Sequence, residues 1–268
     1  MNMRRNYILL VWLIAIVVFC ETKISNAEES TAQLTQDDLY EKAMSLKEEG
    51  KSDAAMDMFK NIMDANSNDE LKYTDALLEQ CVIMKDINNP TWKLKAIEAQ
   101  QKIKILYRIN YNKPAYWLAY AKFAALVGRE SHLSGAFKKA FFYKPNYTEG
   151  YITKGDLYSY FARNTSPAAP VPYSSTTGKT TNTIRTRGKE NSSRYVRGEK
   201  ARDAYYVALN SMRLDNKKKA YVFYRIGELE LLLFSNKSEA VRNWKKVVEL
   251  DPDSIYGKRS KERLEIHE

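Results

Sequence analysis

Histidine and cysteine are nearly missing from this chain, with two of each among 268 residues. His132, His267, Cys20 and Cys81 supply no HExxH helix and no paired-cysteine metal motif, and no glycine-rich phosphate loop accompanies them. Hydrolysis by a triad or a metal and nucleotide chemistry therefore lack their usual residues, and the expectation is a non-enzymatic protein without a cofactor or metal. His132 falls at a turn and His267 beside the C-terminus, where both read as surface residues. Cys81 lies in a helical stretch from Leu71 to Met84 and reads as a small buried hydrophobe rather than a reactive thiol. Long apolar runs are equally scarce. One runs from Tyr7 to Cys20 behind Arg4 and Arg5, and at about 14 residues it is shorter than the roughly 20 a membrane span needs. Ser25-Asn26-Ala27 follows it, so residues 1–27 read as an export signal cleaved after Ala27; a retained anchor or a lipid on Cys20 is the weaker alternative. The expected location is periplasmic or otherwise extracytoplasmic, with membrane association if the N-terminal segment stays. Removal of Cys20 would leave Cys81 alone, so no intramolecular disulfide is available and stability must come from packing.

What the chain does contain is 44% hydrophobic and 28% charged residues, the composition of a folded protein, with a formal net charge of +10. Such a charge favours polyanions or acidic partners without naming one. The carboxylates of Asp37-Asp38, Glu48-Glu49 and Asp251-Pro252-Asp253 sit at expected helix ends and read as caps and solvated charges.

Large and small residues recur at a spacing of 34: Trp117 with Tyr151, Ala121 with Gly155, Ala124 with Tyr158. That period implies stacked helical hairpins, which cannot bury their apolar faces singly and so pack each on the next. In the clearest unit, Trp117, Tyr120, Ala121, Ala124 and Gly128 are followed by Leu133, Phe137, Ala140 and Pro145. Gly128 falls in the tight turn and Pro145 ends the second helix. A first unit shows Leu39, Ala43, Leu46, Gly50, Ala55, Phe59 and Ile62. A last unit shows Phe223, Ile226, Gly227, Ala240, Trp244, Val247 and Pro252, with one extra residue in its turn near Ser235. The second unit has a longer turn at Asn88-Asn89-Pro90, and the fourth is interrupted after Tyr151, Gly155 and Tyr158, resuming at Ala201, Tyr205 and Ala208.

These residues resemble the tetratricopeptide repeat, whose signature sets an aromatic, a Leu-Gly pair, a Tyr, an Ala, a Phe, an Ala and a Pro at fixed offsets. The resemblance covers about 190 residues. It implies an all-α fold: an α-solenoid of about five antiparallel helical hairpins with a C-terminal capping helix and one disordered insertion. The expected organisation is a linker over 28–36, repeats over 37–162, an insertion over 163–198, repeats again over 199–253 and the capping helix over 254–268. The insertion is rich in Ser, Thr and Pro (Thr165-Ser166-Pro167, Pro170-Val171-Pro172), a composition that cannot bury enough surface to order itself.

The resemblance further implies a partner-binding concave groove lined by the first helix of each hairpin. Carried over unit by unit, its positions bring in Tyr40 and Met44, then Tyr73 and Leu77, then Leu118 and Lys122, then Ile152 and Asp156, and finally Tyr221, Tyr224 and Glu228. Tyr40, Tyr73 and Tyr224 would form a stripe of rigid amphipathic anchors, unless they simply cover neighbouring helices. The implied partner is a protein or peptide segment, held for assembly of an envelope complex. The alternative is a surface tether. Lys179, Arg185, Arg187, Lys189, Arg194 and Arg197 make a cationic arm that would capture anionic lipid or glycan, if it is more than a solvated loop. With Tyr173 and Tyr195 as its only aromatics, the arm is poorly equipped to stack bases, so nucleic acid is not expected. Repeat arrays also associate with themselves, so homo-oligomers stay within the expectation.

Overall fold

In the computed structural model, the residues described are 35–164, 182–211 and 213–267, with the side chains at 36, 37, 182–192 and 211 left aside. Eleven helices and no strands are found among them: α1 (Gln36–Glu48), α2 (Ser52–Ala65), α3 (Glu70–Asp86), α4 (Trp92–Asn110), α5 (Pro114–Leu126), α6 (Glu130–Tyr143), α7 (Thr148–Asn164), α8 (Asn182–Ser211), α9 (Asn216–Leu232), α10 (Lys237–Leu250) and α11 (Ile255–His267). No described helix is long and apolar enough to cross a membrane.

The chain divides into two units, Met1–Lys42 and Ala43–Glu268. In the first, α1 opens with a reciprocal cap. The Thr35 N–H and Oγ1 donate to Asp38 Oδ2 at 3.0 and 2.6 Å, and the Asp38 N–H donates back to Thr35 Oγ1 at 3.2 Å. Two of the donors that a helix start leaves unpaired are thereby satisfied.

In the second unit the helices pack as repeats do: α5 on α6, α7 on α8, α9 on α10, each second helix on the next first helix, and first helices on one another from α3 through α5, α7 and α9 to α11. Small residues set the closeness of each hairpin. Ala121 is fully buried. A methyl group on Gly155 would come within 2.4 Å of the Tyr205 ring, and one on Gly227 within 2.5 Å of the Trp244 indole.

The hairpin turns are built alike. Gly50, Asn88, Gly128 and Ser235 each take a left-handed conformation just past a first helix. The next N–H then reaches back to the helix: Lys51 to the Leu46 carbonyl, Asn89 to Met84 and Arg129 to Ala124, at 2.8 to 2.9 Å. This is the helix-ending motif that a left-handed residue makes possible. In the last turn the bond runs from Asn236 to Glu230, one residue further back, which is the extra residue the sequence pattern placed near Ser235.

The insertion requires a correction. Residues 163–164 belong to α7, and α8 begins at Asn182, so 182–198 are helical rather than disordered. The reason is packing that composition does not register. Gly198 is buried against Leu233 and Phe234, Tyr195 meets Phe234 edge-on at 4.9 Å, and Arg197 pairs with Glu130 at 2.7 Å. Every proline of the insertion precedes residue 173, so nothing stops a helix from running into Ala201. Residues 165–181 lie outside the described residues.

Candidate functional site

The residues expected along the groove fall into two groups. Tyr40, Met44, Tyr73, Ile152, Asp156, Tyr221 and Glu228 are half-buried on first helices. Leu77, Leu118 and Tyr224 are not surface residues: each is at most 7% exposed, so they belong to the core. Leu118 joins the core cluster that runs from α5 to α9, and Tyr224 packs with Ala240, Trp244 and Val247 of α10. Tyr224 is covered by the capping helix, whose Tyr256 ring lies 5.4 Å from it.

The polar residues of this face are matched to one another. On α3, Glu79 is buried and accepts from Lys47 of α1 at 2.7 Å and from Lys122 of α5 at 2.9 Å. Lys122 also reaches both carboxylate oxygens of Asp75 at 2.7 and 2.9 Å. Burial works to raise the Glu79 carboxyl, but the ammonium groups of Lys47 and Lys122 outweigh it and hold the group well below the usual carboxylate range. Lys122 is thus an internal tie between hairpins.

A second cluster joins α7, α8 and α9. The hydroxyls of Tyr205 and Tyr221 both donate to Asp156 Oδ1 at 2.6 Å, and Arg225 Nε lies 3.4 Å from the same oxygen. Here burial dominates. It pushes the Asp156 carboxyl up, against the lowering effect of Arg225 and the two hydroxyls. Burial and the neighbouring Asp156 carry both phenols well above their ordinary range.

At the far end, α11 closes over this face. Arg263 Nε pairs with Glu228 at 3.2 Å. Arg259 pairs with the Glu48 carboxylate at 3.5 Å and donates to its main-chain carbonyl, joining residues from opposite ends of the unit. Beside Arg259 and Arg263 lies a cavity of about 380 Å³ lined by these two residues with Tyr224, Glu262 and Ile266, so that two cations, an acid, a phenol and an aliphatic side chain surround one hollow.

Of the expected cationic arm, Lys179 lies outside the described residues, and only the helical backbone is described at Arg185, Arg187 and Lys189. Arg194 is half-buried, and its buried Nε has no hydrogen-bond partner among the described residues. Arg197 departs from the expectation. It is committed to Glu130 and lies over the Phe161 ring at 5.9 Å, because α8 carries it back onto the repeats.

Sequence reasoning left out Asp75, Glu79, Tyr205, Arg225, Tyr256 and Arg259. Asp75 and Glu79 did leave a signal, as two carboxylates one helical turn apart on a first helix facing the Lys122 position. Tyr205 left none of its polar role, since it was read as a repeat hydrophobe.

The hairpins, their left-handed turns and their close-packed small residues define the class: an all-α array of stacked helical hairpins, the architecture that the resemblance to the tetratricopeptide repeat implies. The chain is similar to several solved structures. One is the MamA protein, at 14% identity over 81% of this chain and 92% of that one, with a TM-score of 0.36. Another is a thermophilic tetratricopeptide repeat protein of Thermus thermophilus, at 14% identity, 86% and 99% coverage and a TM-score of 0.45. A third is a tetratricopeptide repeat protein from Parabacteroides merdae, at 13% identity, 98% and 96% coverage and a TM-score of 0.43. These likenesses are distant, and the class rests on the hairpins themselves. No family model matches the chain, and no curated protein matches it.

Proposed function

We propose that this chain is a non-enzymatic scaffold that holds a segment of a protein partner along the first helices of its repeats, in an envelope compartment reached through the signal-like residues 1–27. The observation that carries this is the set of half-buried amphipathic and apolar side chains, Met44, Tyr73 and Ile152, on first helices of separate hairpins. Such residues offer contact area at little conformational cost, and they surround polar groups already matched among themselves, so a partner meets few unsatisfied charges. Fold analogy supports a binding role and does not choose the partner.

A photocrosslinking amino acid placed singly at Met44, Tyr73 or Ile152 tests this in envelope preparations. Discrete crosslinked protein from these positions and not from Lys60, exposed on α2, supports the scaffold. Equal yields from both would refute it. If the cationic insertion tethers the chain to lipid or glycan instead, glutamine at Lys179, Arg185, Arg187 and Lys189 should release it from the envelope and leave the crosslinks unchanged.

A further inference from the structure

Helix α4 is a second helix of its hairpin, and it buries one side of itself in the ordinary way through Ala96, Ala99, Ile103 and Leu106. Its other side is the unusual one. Leu94, Ile97, Ile105 and Ile109 are 69%, 52%, 61% and 68% exposed. At 100° per residue the four fall within an arc of about 120° and run some 22 Å along the helix, as two pairs on either side of the exposed Gln101. Isolated exposed aliphatics are ordinary, whereas an aligned row of four marks a surface that something covers.

The charges beside the row indicate what covers it. Lys93, Lys104 and Arg108 are exposed on the same side of the helix. The helix carries five cations against one acid, and that acid, Glu98, is half-buried and accepts a hydrogen bond from Tyr73 at 3.3 Å. An apolar stripe with exposed cations along one edge is the pattern of a helix lying in the plane of an anionic membrane surface. A second copy of the chain fits less well, because stripe against stripe would set the cations of the two copies against one another.

We propose that α4 is an interfacial helix. It docks the repeat array on an anionic lipid surface, with Leu94, Ile97, Ile105 and Ile109 immersed at the boundary between headgroups and acyl chains and Lys93, Lys104 and Arg108 at the headgroups. The assignment uses a second helix, and it stands or falls apart from the partner-binding function of the first helices.

The test needs a reporter on α4 itself, because the apolar run Tyr7–Cys20 can hold the full chain on a vesicle unaided. Gln101 lies within the row and is exposed, while Cys81 is buried. The full chain carrying Gln101→Cys and Cys20→Ser is therefore labelled with an environment-sensitive fluorophore and titrated with vesicles of phosphatidylcholine alone or with about one-third phosphatidylglycerol. The expected result is a blue shift and brightening on the anionic vesicles only. Each of Lys93→Gln, Lys104→Gln and Arg108→Gln should weaken the response roughly fivefold. Serine at all four aliphatic positions should abolish it while helicity by circular dichroism is unchanged. An absent response, or one that survives the serine changes, overturns the assignment. So does a blue shift that rises with protein concentration without vesicles, which would make the row a contact between copies.

Discussion

Glu79 and Asp156 occupy comparable places, each on a first helix and each joined to two other helices, yet their charges are stabilised differently. Glu79 is held by two ammonium groups at 2.7 and 2.9 Å. Asp156 rests on two neutral hydroxyls at 2.6 Å and a guanidinium at 3.4 Å. Full cationic partners at contact distance overcome the cost of burial in the first case, while one longer ion pair and two neutral donors do not in the second. The consequence is that the two ties respond to acid in opposite directions.

The largest effect is expected at Glu79. Glu79→Gln leaves Lys47 and Lys122 facing each other without their shared anion, and a loss of about 3 kcal/mol in urea unfolding is expected. An unaltered midpoint would mean that Asp75 alone can hold Lys122. Gly155→Ala comes next. The added methyl meets the Tyr205 ring, fully buried beneath Asp156, and overpacking of this kind costs about 1–3 kcal/mol. Thermal unfolding measures it, and Gly155→Ala together with Tyr205→Leu should recover part of the loss.

Acid sharpens the comparison. The Glu79 pKa is depressed on folding, so its contribution is complete above the unfolded carboxylate value of about 4.3 and is lost as the pH falls through its lower folded value. The Asp156 pKa is raised, so the folded state binds a proton there before the unfolded chain does, and this site favours folding as the pH falls from neutral. Asp156→Asn should therefore cost about 1 kcal/mol or less at pH 7 and steepen the loss of stability on acidification, whereas Glu79→Gln should flatten it. If both variants shift the acid profile the same way, the contrast fails. The smallest effect belongs to Arg259→Gln. Its pair with Glu48 is partly exposed on both sides, so no more than about 0.5 kcal/mol is expected. Faster amide exchange in α11, with global stability unchanged, is the readout.

Much of the architecture was legible because it is local. The hairpin turns, the extra residue at Ser235, the small residues at Ala121 and Gly155 and the capping helix over Ile255–His267 all follow from relations a few residues long or from the 34-residue repeat. The insertion is legible only in part, because composition is the only guide there. The order of residues 193–198 comes from Phe161 on α7, Glu130 on α6 and Phe234 in the turn after α9.

The expected groove positions all lie on helices, but Leu77, Leu118 and Tyr224 are core while Lys122 and Asp156 are tied internally.

Sequence by itself determined that this chain makes paired helices, where each pair turns and which residues must be small, since those are matters of backbone conformation and van der Waals contact between chain neighbours. Only the tertiary structure decided that Lys122 meets Asp75 across 47 residues and that Arg259 meets Glu48 across 211. Such pairings depend on the rotation accumulated from one hairpin to the next. Each interface adds a small angle that no single repeat encodes, and their sum selects which charges meet.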